Sequence, residues 1–279
     1  MKPFLFSLLM LPLAASQCQK KSDPAKATKP EQHTVVPLIQ EASGIADSKS
    51  RPGNLWVIED GGNPAQLIVL GHDGKVKEKI PIASATNRDW EDLVLAGNQL
   101  FIGEIGDNDA AHNNYTLYRF PEPEAGASTV PQVAAIRFRY ADQAHDAEAF
   151  LVDPDSGDIF LITKRDSQSK IFRLAANYSL SQQNIAAEAG ILPYNGVVSA
   201  CLAPDGKSVI VKTYNKIYRY SRATGESIAA ALKTSPTELP YEQEPQGEAI
   251  CFRQDGKGYF TLSEKLIGND VFLYYYQLK

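Results

Sequence analysis

Asp89-Trp90-Glu91-Asp92-Leu93-Val94-Leu95-Ala96-Gly97 is a short apolar run with acidic residues at its start and a turn at its end. The design returns at Asp146-Ala147-Glu148-Ala149-Phe150-Leu151-Val152-Asp153-Pro154. It returns again at Gln246-Gly247-Glu248-Ala249-Ile250-Cys251-Phe252, ahead of a Gln254-Asp255-Gly256 turn. Two variants carry serine where the glutamate would sit: Ala42-Ser43-Gly44-Ile45-Ala46 and Val198-Ser199-Ala200-Cys201-Leu202-Ala203. From Ser43 through Glu91, Glu148 and Ser199 to Glu248 the steps are 48, 57, 51 and 49 residues.

Each copy continues in the same way. After a turn comes a second apolar strand: Leu55–Ile58, Leu100–Gly103, Ile159–Thr163, Val209–Thr213 and Tyr259–Leu262. A polar loop leads to a third: Gln66–Leu70, Thr116–Phe120, Lys170–Leu174, Lys216–Tyr220 and Val271–Tyr276. A weaker fourth follows in most units: Val76–Ile82, Ala134–Tyr140, Ala187–Leu192 and Ser227–Leu232. Four short strands per unit, at a period of about 40–50 residues, is the pattern of a β-propeller blade. The last unit ends after three strands, and Thr34–Ile39 is available to complete it, which would remove a free sheet edge. The expectation is an all-β, five-bladed β-propeller over residues 33–279, closed by an N-terminal strand. An irregular β-sandwich is the alternative.

The 279 residues are 43% hydrophobic and 22% charged, ordinary for a globular protein. A net charge of -5 argues against a nucleic-acid polymer as partner. Three cysteines do not make a disulfide scaffold. Cys201 and Cys251, offset by one relative to the ring residues, are expected to be buried free thiols. Met1-Lys2, the apolar run Phe4 to Leu13 and the small residues Ala14-Ala15-Ser16 have the layout of a signal peptide over residues 1–17. Cys18 then stands where a bacterial lipoprotein carries its lipid, although Gln17 departs from the small residue usual there. Plain export and lipid anchoring at Cys18 both place the protein outside the cytoplasm, in the periplasm or at the cell surface. Residues 18–32, rich in Lys, Pro, Ala and Thr, read as a flexible tether. A monomer is expected.

In a propeller the first strand of each blade lines the channel, so Ser43, Glu91, Glu148, Ser199 and Glu248 are expected to form one ring. Three glutamates cannot all stay ionised there unaided, because like charges raise one another's pKa. The ring must be protonated, wet, paired with a lysine or arginine, or filled by a cation. A hard divalent cation fits best: the five side chains offer up to eight oxygens and no nitrogen or sulfur, which favours calcium (Ca2+) over zinc or copper. The order Ser43, Glu91, Glu148, Ser199, Glu248 resembles the calcium-activated nucleotidases of the apyrase type, five-bladed propellers with a central calcium. Thr163-Lys164-Arg165-Asp166-Ser167-Gln168 resembles a basic loop of that family. Asn87-Arg88-Asp89-Trp90-Glu91-Asp92, Gly103-Glu104-Ile105-Gly106-Asp107-Asn108, His145-Asp146-Ala147-Glu148-Ala149 and Gln246-Gly247-Glu248-Ala249-Ile250 resemble a set in uncharacterised secreted bacterial propeller proteins.

Polar loop residues are expected to gather at one channel mouth. Arg88, Asp60, Asn108, Lys164, Arg165, Lys212 and Glu264 are candidates to bind an anionic substrate. Asp89, Asp107 and His145 are candidates to assist a metal-bound water. Trp90 is expected between blades, and Asp92 is expected to point into its blade, holding a turn or a backbone amide. The leading function is calcium-dependent hydrolysis of a phosphorylated or otherwise anionic small molecule. A non-catalytic propeller that captures a glycan, peptide or protein is the second reading, and a lactonase or esterase the third.

Overall fold

A computed structural model describes residues 29–266, 268 and 270–278. The signal peptide over 1–17 and Cys18 lie outside the described residues, as does the tether up to residue 28.

The described chain is almost entirely strand. Strand β1 is Glu31–Thr34. The first repeat gives β2 (Ala42–Asp47), β3 (Asn54–Glu59), β4 (Gln66–Gly71) and β5 (Val76–Pro81). The second gives β6 (Trp90–Ala96), β7 (Gln99–Glu104), β8 (Tyr115–Pro121) and β9 (Ala134–Tyr140). The third gives β10 (Ala147–Val152), β11 (Ile159–Thr163), β12 (Lys170–Leu174) and β13 (Asn184–Ile191). The fourth gives β14 (Val197–Leu202), β15 (Ser208–Thr213), β16 (Ile217–Ser221), the short helix α1 (Ile228–Ala231) and β17 (Thr237–Leu239). The fifth gives β18 (Gly247–Phe252), β19 (Gly258–Ser263) and β20 (Phe272–Gln277).

Three sheets have four strands, in the orders β2-β3-β4-β5, β14-β15-β16-β17 and β18-β19-β20-β1. An eight-stranded sheet joins the second and third repeats through a parallel pairing of β9 with β13. The strands β2, β6, β10, β14 and β18 each pack against the next, and β18 returns to β2. Successive repeats share apolar clusters: Trp56 with Trp90 and Phe120, Phe138 with Phe150 and Phe172, Phe160 with Tyr220, Ile217 with Tyr259, and Leu55 with Phe260. The second strand of each repeat is buried nearly throughout, which is why it reads as a continuous apolar run. The result is an all-β, propeller-like arrangement of radially packed sheets.

Two strand expectations are corrected. The closing strand is Glu31–Thr34, paired antiparallel with β20, not Thr34–Ile39. Pro37 has no N–H to give a ladder, and Val36 bridges Lys75 of the first repeat instead. The tether over 18–32 therefore loses Glu31 and Gln32 to β1. Ser227–Leu232 is not a strand. The Ser227 side chain accepts the Ala230 N–H as an N-cap and starts α1 in an alanine-rich run, and the fourth strand forms later, at β17.

The central strands approach too closely for side chains at one point. A Cβ on Gly44 would lie 2.6 Å from Leu93 N and 2.8 Å from the Asp92 carbonyl carbon. These are backbone atoms, which cannot yield unless β2 separates from β6. Gly44→Ala is therefore expected to cost about 2–3 kcal/mol by overpacking, read as a lower denaturant midpoint. An unchanged midpoint would show that the strands have room to part.

Candidate functional site

The first strand of every repeat carries a register shift against the second strand. The residue left unpaired is Ser43 in β2, Glu91 in β6, Glu148 in β10, Val198 in β14 and Glu248 in β18. Such bulges re-aim a side chain out of the sheet. By register the equivalent positions are thus Ser43, Glu91, Glu148, Val198 and Glu248, and Ser199 is corrected out of the set. Ser199 sits one position further on, level with Asp92, because the β14 bulge falls one residue earlier than the spacing suggests. Its hydroxyl donates to Asp92 Oδ1 at 3.0 Å. The Ser, Glu, Glu, Ser, Glu order that carried the nucleotidase resemblance loses its fourth member. The same register puts Cys201 and Cys251 at equivalent positions, each three residues past its bulge, and both are free and buried.

The loop after each second strand begins beside the start of the first. Asp60 N donates to Glu41 O, Lys164 N to Asp146 O, and Glu264 N to Gln246 O. Asp60, Lys164 and Glu264 therefore share one mouth with Asp89, Glu91, Glu148 and Glu248. The stretch Asn87 to Asp92 builds most of it. Asn87 Nδ2 donates to the carbonyls of Glu59 and Asp60, both at 2.9 Å, and ties the β3–β4 loop to the start of β6. The buried Glu104 carboxylate accepts Asp89 N at 2.8 Å and Arg88 N at 3.1 Å, and also takes the Trp90 indole N–H at 3.1 Å. Trp90 is fully buried between the first two repeats. With the loop pinned on both sides, Asp60, Asp89 and Glu91 each offer a carboxylate oxygen within 4.8 Å of the others. Gly106 makes this possible, since a Cβ there would strike the carboxylates of Glu91 and Asp89.

The mouth is strongly acidic. Burial, then the charges of Glu148, Asp60, Asp89 and Glu248, push the Glu91 carboxyl well above its usual range. Burial, followed by Asp89, Glu248 and Glu41, raises Asp60 to about 6 against the pull of the Gly61 amide. Burial and Asp146 raise Asp89 against Arg88. Glu264 is pushed up to about 8 by burial, Glu248 and Asp60. One ring hydroxyl, Ser43 Oγ, is buried and has no hydrogen-bond partner.

The remaining candidates hold other partners. Lys164 Nζ donates to Glu148 Oε1 and lies 3.7 Å from Glu248 Oε1. Tyr214 OH donates to Glu248. Arg88 Nε is 3.4 Å from Glu104, and Arg165, half exposed, reaches Asp146 at 2.7 Å and donates to Asn108. Asp107 and His145 are both engaged by partners of their own. Asp107 accepts Ala111 N, His112 N and Tyr115 OH, and these donors outweigh burial and hold its carboxyl low. His145 Nδ1 pairs with Asp166 and Nε2 with Asp142, at 3.0 and 3.1 Å. Lys212 is corrected from substrate binder to core residue. It is fully buried, and its Nζ donates to Gly247 O and to Tyr241 OH. Burial lowers its pKa to about 8 against the nearby Glu244 and Glu248.

Asp92 does not point into its own blade. It crosses the centre of the molecule. Besides the Ser199 hydroxyl it accepts Leu93 N at 3.0 Å, Phe150 N at 3.3 Å and Ala200 N at 3.4 Å, joining β6 to β10 and β14. Beyond it, at the other end of the strands, lies a separate depression lined by Ala46, Val94, Val152, Cys201 and Phe252.

No family model matches the chain, and no curated protein does. Many solved structures resemble it, including the following two. An auxiliary nutrient-binding protein from Bacteroides thetaiotaomicron is 9% identical, with a TM-score of 0.49, over 86% of this chain and 70% of that one. Hydrazine synthase from Kuenenia stuttgartiensis is 10% identical, with a TM-score of 0.39, over 79% of this chain and 61% of that one. The chain thus spans less than two thirds of the hydrazine synthase chain. No helix among the described residues is long and apolar enough to cross a membrane.

Proposed function

We propose that the chain is a five-bladed β-propeller, the eight-stranded sheet being two blades joined at β9 and β13, that holds one hard divalent cation at its mouth. Calcium is the first choice. The cation lies off the channel axis, between Asp60, Asp89 and Glu91, and there it receives an anionic small molecule. The observation that carries this reading is the convergence of those three carboxylates within 4.8 Å of one another. The unpartnered Ser43 hydroxyl supports it, because it stands at the same ring position on the adjoining strand. The donors are all oxygen, which suits a hard cation, and the ligand and waters would complete six to eight positions. Glu148 and Glu248, expected as ligands, hold Lys164 and Tyr214 instead.

Hydrolysis of a phosphorylated or otherwise anionic small molecule is the second reading, with a lactone as a further candidate substrate. It is favoured by Glu264, which stands beside Glu248 and Asp60 with its pKa raised to about 8 and is placed to exchange a proton at the mouth. A bound cation would supply Lewis acidity there. Capture of a protein or glycan at the same face is the remaining alternative. We place the protein outside the cytoplasm on the layout of residues 1–18.

The test is thermal unfolding with calcium and with chelator, followed by calorimetry and product assays on nucleotides, sugar phosphates and lactones. Calcium-dependent stabilisation with binding but no turnover supports the binding propeller. Turnover that stops with chelator supports the hydrolase. Unfolding indifferent to calcium would overturn both.

A further inference from the structure

The three ring glutamates are not equivalent. Glu148 and Glu248 face a cation that the chain supplies itself, while Glu91 turns to Asp60 and Asp89 and has none. We infer that Lys164 is a tethered counter-ion filling the axial half of the ring, so that the mouth takes its divalent cation off-axis and in one copy. This rests on the proposed cation site and names the residue that sets its stoichiometry and position.

Lys164 is built into place. Its N–H donates to Asp146 O at 2.9 Å and its carbonyl accepts Gly196 N at 3.0 Å, so its backbone is held from both sides. Its side chain is only 11% exposed. Nζ donates to Glu148, lies 3.7 Å from Glu248, and stands 5.1 Å from the centre of the Tyr214 ring. Burial alone would discharge the ammonium, but Glu148 and Glu248 outweigh it and hold it charged. Its basic neighbours face elsewhere, Arg88 towards Glu104 and Arg165 towards Asp146. A group fixed by its own chain competes at an effective concentration that free calcium must exceed. The axial carboxylates are therefore closed to a second ion, and the Asp60–Asp89–Glu91 half is left open.

Calcium stoichiometry by calorimetry tests this. Wild type is expected to bind one ion. Lys164→Met frees Glu148 and Glu248 and is expected to bind two, while Lys164→Arg keeps the charge and stays at one. A wild type that binds one and a folded Lys164→Met that also binds one, at unchanged affinity, would overturn the inference and leave the proposed site standing. A wild type that binds none and a Lys164→Met that binds one would sink the proposed off-axis site, and with it the single copy, and leave standing only Lys164 as the axial counter-ion. Should Lys164→Met fail to fold, NMR of the Lys164 ammonium in wild type decides. A protected signal that survives calcium saturation agrees with the axial lysine, and its loss would overturn it.

Discussion

Replacing Asp92 with alanine is expected to destabilise the protein by about 3–5 kcal/mol, because several buried donors lose their acceptor together and each orphaned donor costs about 1–3 kcal/mol. Asp92 is fully buried and accepts four donors from three strands. Truncation orphans the amides of Phe150 and Ala200 and the Ser199 hydroxyl where Asp92 ties β6 to β10 and β14. Asp92→Asn keeps the shape but turns an N–H towards other N–H groups, and about 2–3 kcal/mol is expected for it. Denaturant unfolding at constant m-value reads both. A loss below about 1 kcal/mol for Asp92→Ala would mean that the apolar clusters between the sheets hold the centre without it.

The second large effect concerns pH. Asp60 is raised to about 6 and Glu264 to about 8, and Glu91 is raised as well. A carboxyl whose pKa is higher in the folded state favours folding fully below its unfolded pKa. That contribution is lost as pH rises through the folded value. The chelated protein is therefore expected to lose stability between about pH 4.5 and pH 8. Asp107, Asp142 and Asp158 are shifted the other way, so their loss falls at more acidic pH, below that window. Calcium should reverse the decline at the alkaline end, where the carboxylates are free to bind it. At a thousand-fold excess over its dissociation constant the gain is about 4 kcal/mol. At 2–4 °C per kcal/mol, that is a melting shift of roughly 8–16 °C for a domain of this size. Glu91→Gln should both flatten the pH slope of the chelated protein and remove the calcium response. A melting temperature indifferent to pH from 5 to 8 in chelator would contradict the account of the mouth.

Much of this architecture is readable from the chain because the bulges recur. Glu91, Glu148 and Glu248 share one backbone irregularity, so a count of residues finds their common level. Ser199 defeats the count because it lies within a residue of the repeat spacing, and only pairing shows the bulge at Val198. The grouping of Asp60 with Asp89 depends on Asn87, which joins two loops 27 residues apart by side-chain bonds to backbone carbonyls. No periodicity records such a link. Asp92 holds backbone amides as expected, but not only those of its own blade, for a related reason. Alternation along a strand turns it away from Glu91, but the bulge breaks the alternation and directs it across the axis. The lysine alternative for neutralising the ring was visible in the chemistry. Which lysine fills it was not, because Lys164, just after β11, and Lys212, near the end of β15, both stand at the end of a second strand and only packing puts Lys212 against Gly247.

The most direct measurement is the position of a single ion. Crystals grown with calcium replaced by a lanthanide would show it as an anomalous peak. The account predicts one peak, off the axis, ligated by Asp60, Asp89 and Glu91, with Lys164 still on Glu148. A peak on the axis among Glu91, Glu148 and Glu248 with Lys164 displaced, or no peak at the mouth, would contradict it.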